Sequence, residues 1–330
     1  MNQDHPKVKF GKTGVLLINL GTPDSTSWWD IRKYLKEFLS DRRVIEVNPL
    51  LWQIILNLFI LTLRPSKTAH AYKKIWRKDT NESPLLYFTR RQAKKLSDKI
   101  GSENIIVDFA MRYGNPSIKL KLNSLKEAGC ENIVILPLYP QYAAATTATV
   151  CDEVYRSLMS MRWQPSLQVI PHYESNPNYI NALINSIKSK IEKINWKPDL
   201  IISSYHGIPK KYFDKGDPYH CYCQKTTRLM KEKFTLIDIR TTFQSRFGPQ
   251  EWLTPYTDKT LELLPKEGVK NLLVICPGFA SDCVETLEEI NIQGRESFIN
   301  NGGKNFDLVP CLNDESDHIE LFEKLVKKYI

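Results

Sequence analysis

The sequence lacks several patterns that would assign it to a common class of protein. Neither a GxGxxG nor a GxxxxGK[ST] pattern occurs in its 330 residues, so no dinucleotide or nucleoside triphosphate is indicated. It has no nucleic-acid-binding motif and its lysines are spread along the chain, so we expect no nucleic-acid partner. It also has no low-complexity tract and no short-period repeat. These absences argue against functions that depend on nucleotides or nucleic acids.

The seven cysteines do not form a disulfide framework. Their number is odd and their spacing irregular, which is typical of a protein in a reducing compartment. Cys221 and Cys223, with His220 beside them, look like part of a metal site, but no second CxxC or HxxxH partner follows, so we expect none there. Residues 1–12 are polar and contain no apolar signal-peptide core. The sequence therefore predicts a cytoplasmic protein.

Two features leave alternatives open. The net charge of +9 fits an anionic membrane surface, a polyanionic substrate or a general bias towards lysine. The longest apolar run, LLWQIILNLFILTL, has 14 residues (50–63), whereas a membrane span takes about 20. It is either a buried helix or a partly exposed lip that touches a membrane or a flat apolar ligand.

Short apolar runs alternate with longer amphipathic stretches throughout the chain. This alternation predicts parallel sheets flanked by helices, an α/β fold made of two similar doubly wound, Rossmann-like domains that meet near residue 175. The predicted strands are 14–21, 104–114, 132–140, 167–173, 199–209, 234–245, 268–282 and 306–314. The carboxyl ends of such strands usually form the ligand site.

Chemically active side chains follow two of the predicted strands in the second series. His206 ends one strand, in SSYHGIP, and Glu285 and Glu289 open the helix after a later strand and share one face of it. Either could be structural, the histidine as a hydrogen-bonded core residue and the acids as partners of the helix dipole. Together they would form a loose N/O site for a divalent metal such as Fe²⁺ or Zn²⁺.

Taken together, the segments resemble the ferrochelatase family almost from end to end. The matching segments are LLINLGTP, 64–83, FAMRYGNPSI, ILPLYPQYAAATT, SSYHGIP, GDPYHCYCQKT, FQSRFGPQEWLTPYTD and CPGFASDCVETLEEI. The resemblance implies insertion of Fe²⁺ into protoporphyrin IX to form protoheme with release of two protons, the terminal step of heme biosynthesis, with coproporphyrin III as the other possible ring. It also implies a first domain of residues 1–175 joined by the C-terminal helix 314–330, a second of residues 176–313, and a porphyrin cleft between them.

The resemblance also implies roles for individual residues. His206 matches the family's essential histidine and Glu285 its essential acid, the pair that handles metal and protons. Glu289 and Asp282 match a polar path for protons or metal. The positions expected to contact the porphyrin are Arg112 and Tyr113 near one ring face, Trp252 at the pocket wall, and Arg64, Lys67, Tyr72 and Ser83 near the propionates.

The chain departs from the family pattern at three places. Cys283 stands where many members have His, which bears on metal preference, and Tyr205 stands where Ala is common and is expected to narrow the cleft. Because Cys311 is the last cysteine, we expect no C-terminal [2Fe–2S] cluster and no permanently bound cofactor, with Fe²⁺ as substrate only. Residues 50–63 lie where the family has a hydrophobic lip, which favours the exposed alternative and peripheral membrane contact.

Two other functions fit parts of the pattern. A sirohydrochlorin or cobalt chelatase would share the fold and a metal-site histidine, but such chains are usually shorter and lack a segment like FQSRFGPQEW. A tetrapyrrole carrier without catalysis would not need to keep both His206 and Glu285.

Overall fold

Two four-stranded parallel sheets form the framework of the protein. The computed structural model describes residues 9–330. The strands of the first sheet are β1 (Lys12–Thr22), β2 (Ile105–Gly114), β3 (Cys130–Pro137) and β4 (Ser166–Val169). Those of the second are β5 (Leu200–His206), β6 (Ile239–Gln244), β7 (Asn271–Ile275) and β8 (Asn305–Leu308). We call the parts of the chain that carry these sheets the first half and the second half.

The two sheets repeat one topology. Their strand orders are β2-β1-β3-β4 and β6-β5-β7-β8, all parallel. Each half therefore starts with an inner strand, adds an edge strand on one side of it, and then crosses to its other side for the last two strands. Residues 15–18 of β1 are fully buried, as expected for a strand covered by helices on both faces. The predicted α/β fold with two similar sheets is confirmed.

Helices fill the connections and cover both sheets. In the first half they are α1 (Trp28–Leu39), α2 (Pro49–Ile55), α3 (Leu61–Ile75), α4 (Pro84–Ile100), α5 (Ile118–Glu127) and α6 (Thr149–Met159). α7 (Pro177–Lys193) joins the halves. The second half has α8 (Lys210–Asp214), α9 (Tyr219–Lys233), α10 (Thr257–Leu263), α11 (Arg295–Asn300) and α12 (Ser316–Val326). Three segments are π-helical: Leu56–Ile60, Ala144–Ala148 and Glu285–Gly294.

Several strands are shorter than the sequence predicts. The run 268–282 yields β7 over only five residues, because Pro277 and Gly278 turn the chain out of the sheet while the segment stays mostly buried. The run 234–245 yields β6 over six residues, and Leu236, ahead of the strand, is 78% exposed. Around β7, the apolar run is longer than the strand because the residues stay buried after they leave the hydrogen-bonded sheet.

One apolar core connects the halves. Val15 and Leu136 of the first sheet belong to the same buried cluster as Ile201 and Leu273 of the second, together with side chains of α7 and α12. The C-terminal α12 packs on α4 and α7. The carboxylate of Asp314, just before α12, pairs with cations of α4. The exact division of the chain into domains at residue 175 stays a prediction.

The apolar run 50–63 lies in a helix longer than predicted. Residues 49–75 form one continuous helix that includes α2, a π-helical turn and α3. By length and composition it could cross a bilayer, a test that helices of soluble proteins also pass. Leu50, Leu58 and Leu63 are 80%, 64% and 73% exposed, whereas Leu56 and Leu61 are buried. The buried-helix alternative is therefore wrong, because most of the apolar side chains face outwards.

Candidate active site

His206 is the last residue of the central strand of the second sheet. Its partner in the adjacent strand is Gln244, also at a strand end. The Nδ1 atom of His206 lies 2.6 Å from the carbonyl oxygen of Gly207. A carbonyl only accepts, so Nδ1 carries the proton and Nε2 of the neutral ring keeps a free lone pair. The half-buried imidazole can therefore act as a base through Nε2.

Glu289 lies in the π-helical segment 285–294, close enough to His206 for their charges to interact. Its carboxylate accepts hydrogen bonds from both the backbone N–H (2.7 Å) and the hydroxyl of Ser245. Burial raises the pKa of Glu289, the nearby His206 opposes that rise, and Glu285 adds to it. The structure thus brings together three of the predicted site residues: His206, Glu285 and Glu289.

Gln244 joins the strand end to the π-helical segment, and the sequence reading missed it. Its side-chain amide donates to the backbone oxygen of Glu285 at 2.9 Å and lies 3.4 Å from the Glu289 carboxylate. Its amide oxygen accepts from the Ser204 hydroxyl at 2.7 Å. The signal that could have identified it is its position in FQS, at the carboxyl end of the predicted strand 234–245.

The side chain of Glu285 turns towards the first half. It lines a small pocket with Tyr34, Tyr72, Ser83 and Cys283. Its negative charge adds to the effect of burial in raising the pKa of both Tyr72 and Cys283. Glu285 therefore connects the second half, which carries it, to the wall formed by α3 and the start of α4.

Asp282 lies in a polar network at the base of the π-helical segment. Its two oxygens accept from the Thr286 hydroxyl (3.1 Å), the Cys311 backbone N–H (3.3 Å) and the Asn313 amide (2.7 Å). These contacts fix the loop before the helix to the segment that leads into α12. A role of Asp282 in the proton or metal path stays a prediction.

The two departures from the family pattern occupy different surroundings. Cys283 is buried with Leu85 and Met111, and burial raises the pKa of its thiol. Tyr205 is completely buried and its hydroxyl lies 3.0 Å from that of Thr227 in α9. The expectation that Tyr205 narrows the cleft is wrong, because a side chain without exposed surface is part of the packing.

Arg112 and Tyr113 end β2 and share one carboxylate, that of Asp41. The Asp41 oxygen Oδ2 accepts from the Arg112 guanidinium and from the Tyr113 hydroxyl, the latter at 3.0 Å. Arg112 also donates to the Thr149 backbone oxygen at 2.9 Å and lies 4.4 Å above the Tyr113 ring. Both side chains are buried and their polar atoms are satisfied. Asp41 was missed by sequence reasoning, since nothing near it in the chain indicates this contact.

The residues expected near the propionates separate into two pairs. Arg64 and Lys67 lie exposed on α3, with the Arg64 guanidinium 5.1 Å from the centre of the Phe247 ring. Tyr72 and Ser83 are buried beside Glu285, and the Ser83 hydroxyl caps α4 by accepting from Leu86 N–H. Cations at the surface and hydroxyls further in therefore line the same side of the site.

Trp252 packs against Gly207, directly after the end of β5. Its indole N–H donates to the Phe247 backbone oxygen at 3.0 Å, and the two rings are 5.0 Å apart. Gly207 follows His206 in the chain, and a Cβ atom on it would lie 3.3 Å from the Trp252 ring. Because glycine has no Cβ atom, the indole can pack closely against the backbone at this point. The role of Trp252 at the pocket wall stays a prediction. Because Arg64 contacts Phe247 as well, Phe247 links Trp252 to α3.

Within residues 9–330, no cluster of three or more His, Cys, Asp or Glu side chains is arranged to hold a metal ion. What the site does offer is an imidazole whose Nε2 can accept a proton, next to a carboxyl group of raised pKa, with a second carboxylate opposite buried tyrosines. Such a set can accept protons in sequence and bind a cation loosely.

The fold and the site together define the class: an α/β chelatase made of two parallel-sheet halves. SirB from Bacillus subtilis, solved with Fe³⁺, superposes with a TM-score of 0.57 at 10% identity, covering 96% of this chain and 95% of SirB. DR2241 from Deinococcus radiodurans, described as similar to chelatases, gives a TM-score of 0.56 at 8% identity over 96% of this chain and 55% of that one. At these identities the likeness concerns the fold alone.

Sequence comparison gives the particular family. The family model Ferrochelatase matches residues 12–330. Ferrochelatases of Allorhizobium ampelinum and Rhizobium meliloti are 54% and 53% identical, covering 98% and 99% of this chain and 95% and 97% of their own length. That of Francisella tularensis is 52% identical over 98% of this chain and 97% of its own. The chain belongs to the ferrochelatase family of porphyrin metal chelatases, lyases of heme biosynthesis.

Proposed function

We propose that His206 is the base that takes the pyrrole protons while Fe²⁺ enters the ring. The reaction exchanges two N–H protons of the porphyrin for one ferrous ion. The observation that carries this assignment is the hydrogen bond between Nδ1 and the Gly207 oxygen, which leaves Nε2 as the accepting atom. Imidazole suits the task because its pKa lies near neutrality, where a base can both take up and release a proton.

Glu289 and Glu285 are the next proton carriers in this proposal. Burial raises the pKa of Glu289, so this carboxyl group holds a proton more readily than an exposed one and can receive it from the neighbouring His206. Glu285 lies on the same helical segment and faces the opposite wall. The two carboxylates can therefore conduct protons away or guide the hydrated cation. Iron is held only loosely, since a tight site would not release it to the ring.

A fluorescence assay with Zn²⁺ and protoporphyrin tests these roles. We expect His206→Ala to lower kcat about 10²- to 10⁴-fold, the usual contribution of a general base. Glu285→Gln keeps the shape, removes the charge and should lower kcat too. His70→Ala, which removes an exposed histidine of α3, serves as the control and should keep full turnover. Wild-type kinetics in folded His206→Ala would contradict the assignment, and so would unchanged kinetics in Glu285→Gln for that residue.

The same assay separates the competing functions and the competing rings. Repeated turnover identifies an enzyme, whereas stoichiometric quenching without turnover identifies a carrier. We propose protoporphyrin IX as the ring, with its two propionates at Arg64 and Lys67 and the deeper hydroxyls of Tyr72 and Ser83 behind them. The exposed cations and buried hydroxyls on one side of the site support this arrangement. A higher kcat/KM for coproporphyrin would overturn the choice of ring.

We propose further that the protein is cytoplasmic and touches the membrane peripherally through residues 50–63. Exposed leucines, Ile54 and Phe59 give this helix an apolar surface, and the net charge of +9 favours anionic lipid. Its substrate, an apolar dianion, would be available there. Contact through one helix face fits the buried residues of the continuous helix 49–75, which are Leu56, Leu61, Pro65, Ala69 and Tyr72.

Vesicle sedimentation tests the membrane proposal. Binding to vesicles that contain anionic lipid should weaken as salt rises, and should weaken strongly in the double variant Ile54→Asp with Phe59→Asp. The double variant Leu236→Asp with Leu263→Asp is the matched control, because it places the same two charges on exposed leucines of the second half. Equal binding by the double variant and the wild-type chain would refute the contact.

A further inference from the structure

One buried ion pair joins α3 to the π-helical segment that carries the catalytic acids. The Lys74 ammonium lies 2.9 Å from a carboxylate oxygen of Glu288. The Glu288 side chain is only 6% exposed, and its second oxygen accepts from the Gln293 amide at 2.7 Å. A buried carboxylate is costly unless it is paired, so Lys74 is required for Glu288 to stay where it is.

The position of Glu288 in the chain makes this pair relevant to the reaction. Glu288 follows Glu285 by three residues and precedes Glu289 by one, within the ten residues of the π-helical segment. A π-helix of this length is unusual, and such segments occur mostly at functional sites. Holding one side chain of a short helix limits both its rotation and its sliding. The ion pair therefore restrains the two acids on either side of it.

The other end of the pair lies beside the same pocket. Lys74 follows Tyr72 by two residues in α3, and the Tyr72 side chain lines the pocket into which Glu285 points. α3 and the π-helical segment thus meet at two neighbouring places, the ion pair between Lys74 and Glu288 and the pocket lined by Tyr72 and Glu285. Neither Lys74 nor Glu288 contacts the His206 ring or the Ser245 groups that hold Glu289 in the hydrogen bonds described above.

We propose that Lys74 and Glu288 are positioning residues for the metallation reaction. Their ion pair holds the π-helical segment against α3 so that Glu285 faces the pocket beside Tyr72 and Glu289 stays next to His206. This inference rests on the proposed roles of Glu285 and Glu289. It adds a cause for their placement, because the charge of Lys74 on α3 fixes the orientation of the π-helical segment 285–294.

Steady-state insertion of Zn²⁺ into protoporphyrin by the full chain tests the proposal. Lys74→Met and Glu288→Gln should each lower kcat about tenfold, because a displacement of about 1 Å at a catalytic group can cost up to a hundredfold. KM for porphyrin should stay within about twofold, and Lys74→Arg should restore most of the rate by keeping the cation. Once either partner is replaced, replacing the other should add little.

Two controls separate positioning from loss of stability. The double variant Arg91→Met with Lys95→Met removes both cations of α4 that pair with Asp314, whose side chain is 9% exposed, and so leaves a buried carboxylate without a cation as Lys74→Met does. It should lower Tm at least as much as Lys74→Met while keeping kcat. In addition, the effect of Lys74→Met on kcat should shrink in a Glu285→Gln or a Glu289→Gln background, since a positioned group that has already lost its function cannot lose it again.

The outcomes distinguish this inference from the proposed function. A full kcat in folded Lys74→Met, an equal loss of kcat in the double variant Arg91→Met with Lys95→Met, or an undiminished effect of Lys74→Met in both acid backgrounds would overturn the positioning role. Wild-type kinetics in Glu285→Gln itself would instead overturn the catalytic role of Glu285. The positioning role would then be judged on the Glu289→Gln background alone.

Discussion

The two sheets have the same strand order, yet the residues beyond their strand ends differ in kind. At the end of β2 in the first half, Arg112 and Tyr113 are buried and share the Asp41 carboxylate. At the end of β5 in the second half, His206 keeps a free ring nitrogen and lies near a carboxyl of raised pKa. We call Arg112, Tyr113 and Asp41 the neutralised wall, because the two charges there cancel. We call His206 and Glu289 the titratable wall, because these groups can take up or release a proton.

This difference shows how a repeated topology can divide the work of one reaction. A neutralised, hydrogen-bonded wall keeps its shape over a wide pH range, which suits it to hold a rigid planar ligand. A wall with titratable groups can take up the protons that the ligand loses. The same arrangement of strands supports both, because the side chains at the strand ends, and not the sheet, decide the chemistry.

The largest effect should come from breaking the neutralised wall. We expect Asp41→Asn to lower the free energy of unfolding by about 3–5 kcal/mol, because it leaves the buried Arg112 charge without its partner. Asp152→Asn is the matched control, since it breaks the Arg43–Asp152 pair, whose side chains are 43% and 37% exposed, and should cost about 0–1 kcal/mol. Urea denaturation measures both. Equal losses would mean that burial of the first pair does not matter.

The second effect concerns a histidine outside both walls. His318 of α12 is completely buried, and burial lowers its pKa from 6.5 to about 4. Above pH 6.5, His318 is neutral in both the folded and the unfolded chain. Between pH 6.5 and pH 4 it is protonated in the unfolded chain but still neutral in the folded one. One pKa unit is worth about 1.4 kcal/mol, so stability should fall by about 3 kcal/mol between pH 6.5 and 4.

Denaturation at several pH values in wild-type protein and His318→Gln measures this dependence. The variant should lose that part of the acid sensitivity while the pH profile of kcat stays that of the wild type, because the recorded contacts of His318 are with the Asn313 backbone oxygen and the Phe322 ring and not with His206, Glu285 or Glu289. A shifted kcat profile in His318→Gln would break the separation between the titratable wall and the rest of the molecule.

The third effect concerns Glu289 of the titratable wall and has two parts of opposite sign. Glu289→Gln should lower kcat about 10²-fold, since it removes a proton carrier. It should also change the stability relative to the wild-type chain, so that the variant compares more favourably with the wild type at pH 8 than at pH 4. The folded-state pKa of Glu289 is raised above 4.5, so the wild-type chain loses stability as pH rises through that range and the variant does not.

Thermal unfolding at pH 4 and pH 8, with kcat measured in parallel, tests this pair of effects. The hydrogen bond from Ser245 N–H can be kept by the Gln oxygen, so the comparison isolates the charge. A variant that is destabilised equally at both pH values would show that Glu289 is ionised at little cost in the folded state, and that the second wall resembles the first.

Much of the fold and part of the site could be predicted from the sequence. Alternating apolar and amphipathic stretches indicated two parallel sheets, and the strand ends indicated where His206 and Glu289 would meet. The strand bounds were less accurate, because the run after β7 stays buried although it has left the sheet. The burial of Tyr205 was missed as well. Successive side chains of a strand point to opposite faces of the sheet, so Tyr205 faces away from His206 and into the packing.

By itself the sequence determined the family, the α/β alternation and the chemical groups available at the strand ends, since these depend on residue type and local periodicity. Only the tertiary structure decided how the groups are held. Asp41 meets Arg112 across 71 positions of sequence, and Lys74 meets Glu288 across 214. Such pairs leave no local pattern, because their energy arises only when folding places the two charges side by side and takes at least one of them out of water.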